Sequence, residues 1–293
     1  MAEHQYLTTR EVGELLRIKE RKVYDLASSG ALPCTRAIGK LLFPREEILA
    51  WLAENSSTAE MAKPLARPPV LLGSHDPLLE WAIRESRCGL ATLLDSSGDG
   101  LTRFAAGEGI ATGLHLPGNG SDDWNVDAVR DRFAARPVVL FEWARRVRGI
   151  AVHEAVGEPP AGLAALGGLR LVPRQSDAGT QIFFEHLLAA AGIGADRLTL
   201  TAPALSENDQ IAAVATGRAE AAFALESLAA SYKLRFTALA AERFDLLVDR
   251  KAWFEPPWQK LLAFTRSPAF AARAAELPGY DIAGLGTVHF NGA

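Results

Sequence analysis

The sequence is poor in the residues that build metal clusters and disulfide frameworks. It has two cysteines in 293 residues, Cys34 and Cys88, and six scattered histidines. No C-x-x-C or H-x-x-x-H spacing occurs. A zinc-type centre and a disulfide scaffold are therefore not expected, and the cysteines read as free thiols of a reducing compartment. No apolar run approaches the ~20 residues that a membrane-spanning helix needs. The opening "MAEHQYLTTREVGELL" lacks a basic stretch followed by an apolar core, so no secretory signal is expected. A strong charge of one sign is also missing. The net charge is −4, so any attraction to nucleic acid has to be local. Neither low-complexity tracts nor internal repeats occur. A cytoplasmic protein with no membrane partner, metal or cofactor is the expectation.

What is present divides in two. The length corresponds to about two domains, and 48% hydrophobic residues suffice for packed cores. "SSTAEMAKPLARPP", from residue 56, mixes small residues with three prolines and has no apolar periodicity. It reads as an interdomain linker. The expected organisation is a first domain over 1–55, a linker over 56–68 and a second domain over 69–293.

In the first domain "TTRE" at 8–11 fits a capping box, Thr8 capping the helix and Glu11 bonding back. Val12, Leu15 and Leu16 follow at helical spacing. "RKVYDLASSG" predicts a second helix with Val23 and Leu26 inward and Gly30 as its stop. "ALPCTRAIGKLLFP" predicts two short strands turning at "IGK". Pro44 then opens a third helix with Ile48, Trp51 and Leu52 inward. Between residues 10 and 45 there are eight basic residues against four acidic ones. The bland alternative for each is a solvated helix face.

This order of elements, with Y-x-L, G-x-L-P and G-x-x-x-F-x-x-E-x-I-x-x-W-L over residues 6–52, resembles the DNA-binding domain of the excisionase and MerR-like group. The resemblance implies a winged helix-turn-helix whose second helix enters the major groove while the hairpin wing touches the backbone. Those roles would fall to Arg21, Lys22 and Tyr24 on the helix and to Arg36 and Lys40 on the wing. A readout this short implies two copies on a pseudo-palindromic stretch of double-stranded DNA, and hence a homodimer held by the second domain.

Beyond residue 69, short apolar runs alternate with helical patterns, which implies an α/β fold with helices on both faces of parallel strands. Strands are expected at the starts of "PPVLLGSHD", "GLATLLDSSGDG" and "GLRLVPRQSDAGT", in "GIATGLHL", and near 137–143, 149–153, 219–225 and 244–250. "GSHD" at 73–76, "DSSGDG" at 95–100 and "RQSDAGT" at 174–180 each follow a strand and precede a helix. Such turns offer hydroxyls and free amides at a helix N-terminus, where an anion is favoured. Ligands in such sheets bind at the carboxyl ends of the strands.

The order GSHDP, GLATLLDSSGDGL, GLHL, RQSDAGT, GYD resembles the type-2 periplasmic-binding-protein-like domain found fused to excisionase-like helix-turn-helix domains in bacterial regulators. It is similar to periplasmic molybdate and tungstate binders. The resemblance implies a two-lobed domain whose lobe crossings fall near 150–160 and 240–245. It implies an oxyanion held by Ser74, by Ser96 or Ser97, and by Arg174, Ser176, Gly179 and Thr180. His75 and His115 lie beside the cleft. Asp177 and Glu226 would repel an anion unless they point away or pair with Arg174.

The whole reads as a winged helix-turn-helix joined to a two-lobed periplasmic-binding-protein-like domain, a regulator and not an enzyme, that senses a small anionic ligand, molybdate or tungstate first. Four alternatives stand beside it. One is a regulator sensing an organic acid or a molybdenum-cofactor-like ligand. Another is a cytoplasmic enzyme or cofactor-handling protein with an accessory DNA-binding head, which a titratable partner on His75 or His115 would favour. The third is a transport-type solute receptor, against which the DNA-binding head and the missing signal stretch argue, and the fourth is an architectural protein whose large domain only dimerises.

Overall fold

The computed structural model describes residues 5–37, 39–55, 67–118 and 123–293; at 36, 37 and 53–55 it describes backbone only. The chain forms two compact units, 1–66 and 67–293. Arg67 opens the second, donating to the Phe104 and Gly109 carbonyls at 2.6 and 2.9 Å and standing 3.3 Å from Asp249. Arg67 and Pro68 thus lie in the second unit, where composition had placed linker.

In the first unit β1 (Tyr6–Leu7) leads into α1 (Thr9–Leu16) and α2 (Glu20–Ser28). Then come β2 (Thr35–Ala37), β3 (Lys40–Pro44) and α3 (Arg45–Asn55). The capping box is formed: Thr8 Oγ1 accepts from Glu11 N, and Glu11 accepts from Thr8 N at 2.7 Å. α1 ends where Arg17 turns left-handed, at φ 52°. β3 pairs antiparallel with both β1 and β2, and Ala37 faces Lys40 across the wing turn. Leu7, Val12, Val23, Leu32, Phe43 and Ile48 close the core. Leu15, expected inward, is exposed, and Leu16 takes the core-facing place beside Val12. Pro44 ends a strand and does not begin the helix.

The second unit begins with three strand–helix repeats: β4 (Val70–Gly73) with α4 (Pro77–Ser86), β5 (Ala91–Leu94) with α5 (Ser97–Ala105), and β6 (Ala111–Leu114) with α6 (Val126–Phe133). The long strand β7 (Val138–Val152) follows. Next are β8 (Arg170–Leu171), α7 (Gly179–Ala190), β9 (Thr199–Leu200), α8 (Glu207–Ala215), β10 (Ala221–Leu225) and α9 (Glu226–Ser231). A second long strand, β11 (Arg235–Asp249), returns the chain to α10 (Pro256–Phe264), α11 (Pro268–Ala275), β12 (Tyr280–Asp281) and β13 (Val288–Asn291).

One curled sheet holds these strands in the order β5-β4-β6-β11-β7-β10-β8-β9, with β12 and β13 also on β7. β7 and β11 pair antiparallel along their whole length. β6 joins the last residues of β11, whereas β10 joins the last residues of β7. Each long strand therefore serves two lobes, and both crossings lie inside strands. Bulges on β11 at Ala238/Ala240 and Phe244/Asp245 mark the bend. The second crossing falls within the expected 240–245. The first sits within β7 around Arg145–Arg148, earlier than 150–160, and the two strands expected at 137–143 and 149–153 are one.

The sheet is covered on both faces, which explains its continuous apolar runs. Successive residues point to opposite faces. Leu71, Phe141 and Leu246 pack into one cluster, while their neighbours Leu72, Leu140 and Leu247 pack into another. The second lobe repeats this: Ile150, Leu171 and Ala221 face one side, and Ala151, Val172 and Ala222 the other. Gly73 stands at φ 89°, and a Cβ there would come within 2.3 Å of Thr112 Oγ1, so β4 and β6 approach as closely as they do only through glycine.

Candidate functional site

The carboxyl ends of β4, β5, β6 and β8, and the turn after β9, converge on a cavity of about 40 Å³. That is room for roughly three water molecules. Ser74 and His75 come from the β4–α4 turn, Asp95 from β5–α5 and His115 from the end of β6. The second lobe supplies Arg174, Gly179 and Thr180, and also Leu205, Ser206 and Glu207. The lobes touch across the cavity. Ser96 Oγ donates to Asp177 Oδ2 at 2.5 Å and Gln175 Nε2 to Asp95 Oδ1 at 2.9 Å. A Cβ on Gly179 would sit 2.8 Å from the His115 ring, so only glycine lets α7 come this close.

Six of the nine expected ligand residues line the cavity: Ser74, His75, His115, Arg174, Gly179 and Thr180. The other three have different work. Ser96 caps α5 by accepting from Asp99 N at 3.0 Å, and it also holds Asp177. Ser97 is fully buried, bonded to Ser74 Oγ at 2.7 Å, and accepts from His115 N at 3.3 Å. Ser176 is exposed. A strand–turn–helix unit offers its second and third turn residues to different neighbours, so similar serines part company. Asp177 points to Ser96 and not to Arg174, and Glu226 packs against Gly279.

Arg174 is the cavity's cation. Its backbone N donates to Gln181 Oε1 at 3.0 Å, which anchors the turn to α7. The side chain is 4% exposed, and its Nε and Nη1 have no hydrogen-bond partner among the described residues. Burial, relieved in part by Glu207, lowers its affinity for a proton, although a guanidinium remains charged at any ordinary pH. α7 begins at Gly179 with no side-chain cap, so its first amides are left for another acceptor.

Sequence reasoning missed Glu207, the first residue of α8. Its Oε1 accepts from Thr180 Oγ1 and from Arg148 Nη2, both at 2.6 Å. Its Oε2 is buried with no partner among the described residues. Burial pushes this carboxyl up, but Arg148 and Arg146 more than offset it and hold Glu207 below the usual carboxylate range. The signal was present in "SEND" at 206–209: Ser206 caps α8 by accepting from Asp209 N at 3.0 Å, a recognisable helix start.

Beneath the cavity the crossing strands carry a buried ionic network. Glu242 on β11 receives Arg146, Arg148 Nε at 2.6 Å and His115 Nδ1 at 3.0 Å. Arg146 also reaches Asp76 Oδ2 at 2.9 Å. Asp76 accepts besides from Leu79 N, Trp143 Nε1 and Tyr280 Oη at 2.7, 3.0 and 2.7 Å. It is therefore a helix cap and a hinge anchor, turned away from His75, which instead meets Glu80 at 2.8 Å. Burial keeps His115 neutral in preference to charged, against the pull of Glu242. Burial also pushes Asp245 up to about 7, although Arg243 and Asn125 both donate to it. Trp124 and Trp143 are packing residues, edge-on to Phe183 and Phe270 respectively.

In the first unit Arg21, Lys22 and Tyr24 stand exposed on α2 while Val23 and Ala27 face inward. Lys40 is exposed at the start of β3, and it shares a groove of about 620 Å³ with Tyr24. The Arg36 side chain lies outside the described residues. Arg10, one of the eight basic residues, is paired with Glu14 at 3.0 Å. Among the described residues no helix is long and apolar enough to cross a membrane. No group of three or more His, Cys, Asp or Glu residues could hold a metal ion among them.

A family model described as a PBP superfamily domain matches residues 80–266, and one described as a helix-turn-helix domain matches residues 6–56. Among curated proteins the chain is 22% identical over 308 residues to the uncharacterized protein YvgK of Bacillus subtilis (strain 168), covering 96% of each. Among solved structures, PhnD1 from Prochlorococcus marinus (MIT 9301) in complex with methylphosphonate aligns with a TM-score of 0.51 at 9% identity, over 73% of this chain and 93% of that one. The regulatory domain of CcmR from Synechocystis PCC6803, in complex with 2-PG, aligns with a TM-score of 0.50 at 11% identity, over 68% and 97%. At such identities these two show the fold alone.

Proposed function

The chain belongs to the PBP superfamily and carries a helix-turn-helix domain ahead of it, and from that premise we propose that it is a cytoplasmic, ligand-responsive DNA-binding regulator whose cleft takes a small anion. Arg174 carries this reading. It is a buried guanidinium with donors unpaired among the described residues, placed beside the uncapped start of α7 in a cavity that both lobes line. A buried cation without a partner is costly to keep, and an anion at that point would satisfy it together with the free amides of α7.

Arg21, Lys22, Tyr24, Arg36 and Lys40 form the proposed DNA surface, and a homodimer on a pseudo-palindromic operator follows from the short readout of one head. A ligand acts on DNA binding only through different affinities for two conformations. The two long strands supply a route, since both pass from one lobe to the other and their bulges lie at the bend.

Molybdate or tungstate is the ligand that the sequence resemblance implies. A specific observation favours the second reading, an organic acid: Glu207 places a carboxylate in the same cavity, where a bare dianion would meet repulsion. The enzyme reading gains His115–Glu242 and His75–Glu80, both at hydrogen-bond distance. It lacks a nucleophile for them. Ser74 bonds to Ser97, Thr180 to Glu207 and Ser206 to Asp209 N, and none bonds to either imidazole.

Operator binding by fluorescence anisotropy, with calorimetry on the same samples, tests the reading. Arg174→Ala abolishes the ligand response and leaves DNA affinity in the absence of ligand unchanged. Loss of DNA binding in that variant, or an unaltered ligand response, overturns the assignment.

A further inference from the structure

The cavity contains two buried charged groups of opposite sign, and neither completes the other. No carboxylate lies within ion-pairing distance of Arg174 among the described residues, while Glu207 directs one oxygen to Thr180 and Arg148 and leaves the second without a donor. Both side chains are more than nine-tenths buried, and both line the same cavity. An occupant therefore has to satisfy opposite demands at two points. At Arg174 it must present lone pairs. At Glu207 Oε2 it must present a hydrogen, because an ionised carboxylate only accepts.

Resting on the reading of the cleft as an anion site, we propose that the cavity selects a small anion that also carries an O–H or N–H hydrogen, its anionic oxygens going to Arg174 and the α7 amides and its hydrogen to Glu207. The class includes hydrogen phosphate and small hydroxy acids. It excludes oxyanions with no hydrogen at neutral pH, namely sulfate, molybdate and tungstate, because each would turn a lone pair toward the carboxylate. Simple carboxylates such as acetate satisfy Arg174 and leave Glu207 unmet.

Among the described residues no side chain bonds to Glu207 Oε2. Ser74 Oγ shares a hydrogen bond with Ser97 Oγ, and Ser206 Oγ accepts from Asp209 N. His75 Nε2 meets Glu80 while its buried Nδ1 has no partner among the described residues, and His115 Nδ1 meets Glu242. Thr180 already donates its single hydroxyl hydrogen to Glu207 Oε1. The proposed discrimination rests on Glu207 Oε2.

Calorimetry on the full chain at neutral pH and constant ionic strength uses pairs that differ by the hydrogen: phosphate with sulfate and molybdate, and glycolate with acetate. The hydrogen-bearing member of each pair binds about 100-fold tighter, the scale of a buried charged group left unsatisfied. Glu207→Gln keeps an oxygen for Thr180 and Arg148 and places an amide donor at the second position. It collapses the gap and admits sulfate. Should that variant melt early, the wild-type pairs decide alone. Sulfate or molybdate binding as tightly as phosphate in the wild type, through Arg174, overturns the selectivity and leaves the anion site standing. No binding of any probe, or binding that Arg174→Ala leaves intact, overturns both.

Discussion

In the first unit Arg21, Lys22 and Lys40 stand in solvent, whereas in the second Arg146, Arg148 and Arg243 are buried to within 1% of their surface. The same residue types serve opposite ends. A solvated cation keeps its hydration until it meets a phosphate, so its contribution is long-range, additive and sensitive to salt. A buried cation has given up that hydration, and it is tolerable only where carboxylates are fixed around it. The first arrangement suits a long polyanion met in many registers. The second fixes geometry and leaves room for one small ligand. Arg174 belongs to neither group, being buried like the hinge arginines and unpaired like the surface ones, and that contrast is the ground for proposing it as the binding residue.

The comparison is broken most severely at the hinge. Arg146→Ala leaves Glu242 and Asp76 buried beside an empty place and costs the second unit about 3–5 kcal/mol, read by urea unfolding. A loss under about 1 kcal/mol, the scale of exposed pairs, would place the network among surface ion pairs. Acid acts on the same groups. Burial alone would push Glu242 up, but Arg146 and Arg148 hold it well below the usual carboxylate range, and Glu207 behaves likewise. The folded state thus binds these protons more weakly than the unfolded chain. The stability they contribute is present above the ordinary glutamate range and is lost progressively as pH falls from that range down through their lowered folded-state values. Unfolding midpoints measured from neutral pH downward should drop in that window, less so in Glu207→Gln.

On the exposed side the effects are smaller and of another kind. Arg21→Ala weakens DNA binding and reduces the slope of log affinity against log salt by about 1, with ligand affinity unchanged. An unchanged slope would remove Arg21 from the phosphate contacts. Thr8→Ala removes the cap of α1 and costs the first unit about 1 kcal/mol by thermal melting, with the basic surface intact.

Much of this was legible locally. Thr8 and Glu11 announce their capping box by spacing alone, and "RQSDAGT" was marked as an anion turn before its surroundings were known. Residues 145–148, "RRVR", misled because three arginines in four positions read as a break between strands. Period-2 patterning assigns polar residues to solvent, and here alternate arginines are buried because carboxylates from elsewhere meet them. Glu207 was overlooked for the same reason: its helix start is visible in "SEND", and its place in the cavity is not. Ser96 and Ser97 were inseparable in sequence, yet one latches the lobes and the other is sealed beneath Ser74.

The sequence by itself determined most of the local elements: caps, turns, the alternation of strands and helices, and the composition shift near residue 56. These depend on residues two to four positions apart, where backbone geometry fixes who meets whom. Tertiary structure alone decided which charges are paired and which are left over. Arg148 meets Glu207 59 residues away, Arg146 meets Glu242 96 away and His115 meets Glu242 127 away. Burial turns each of those pairings from a weak surface contact into a fixed feature, because in the interior no water is available to replace a missing partner.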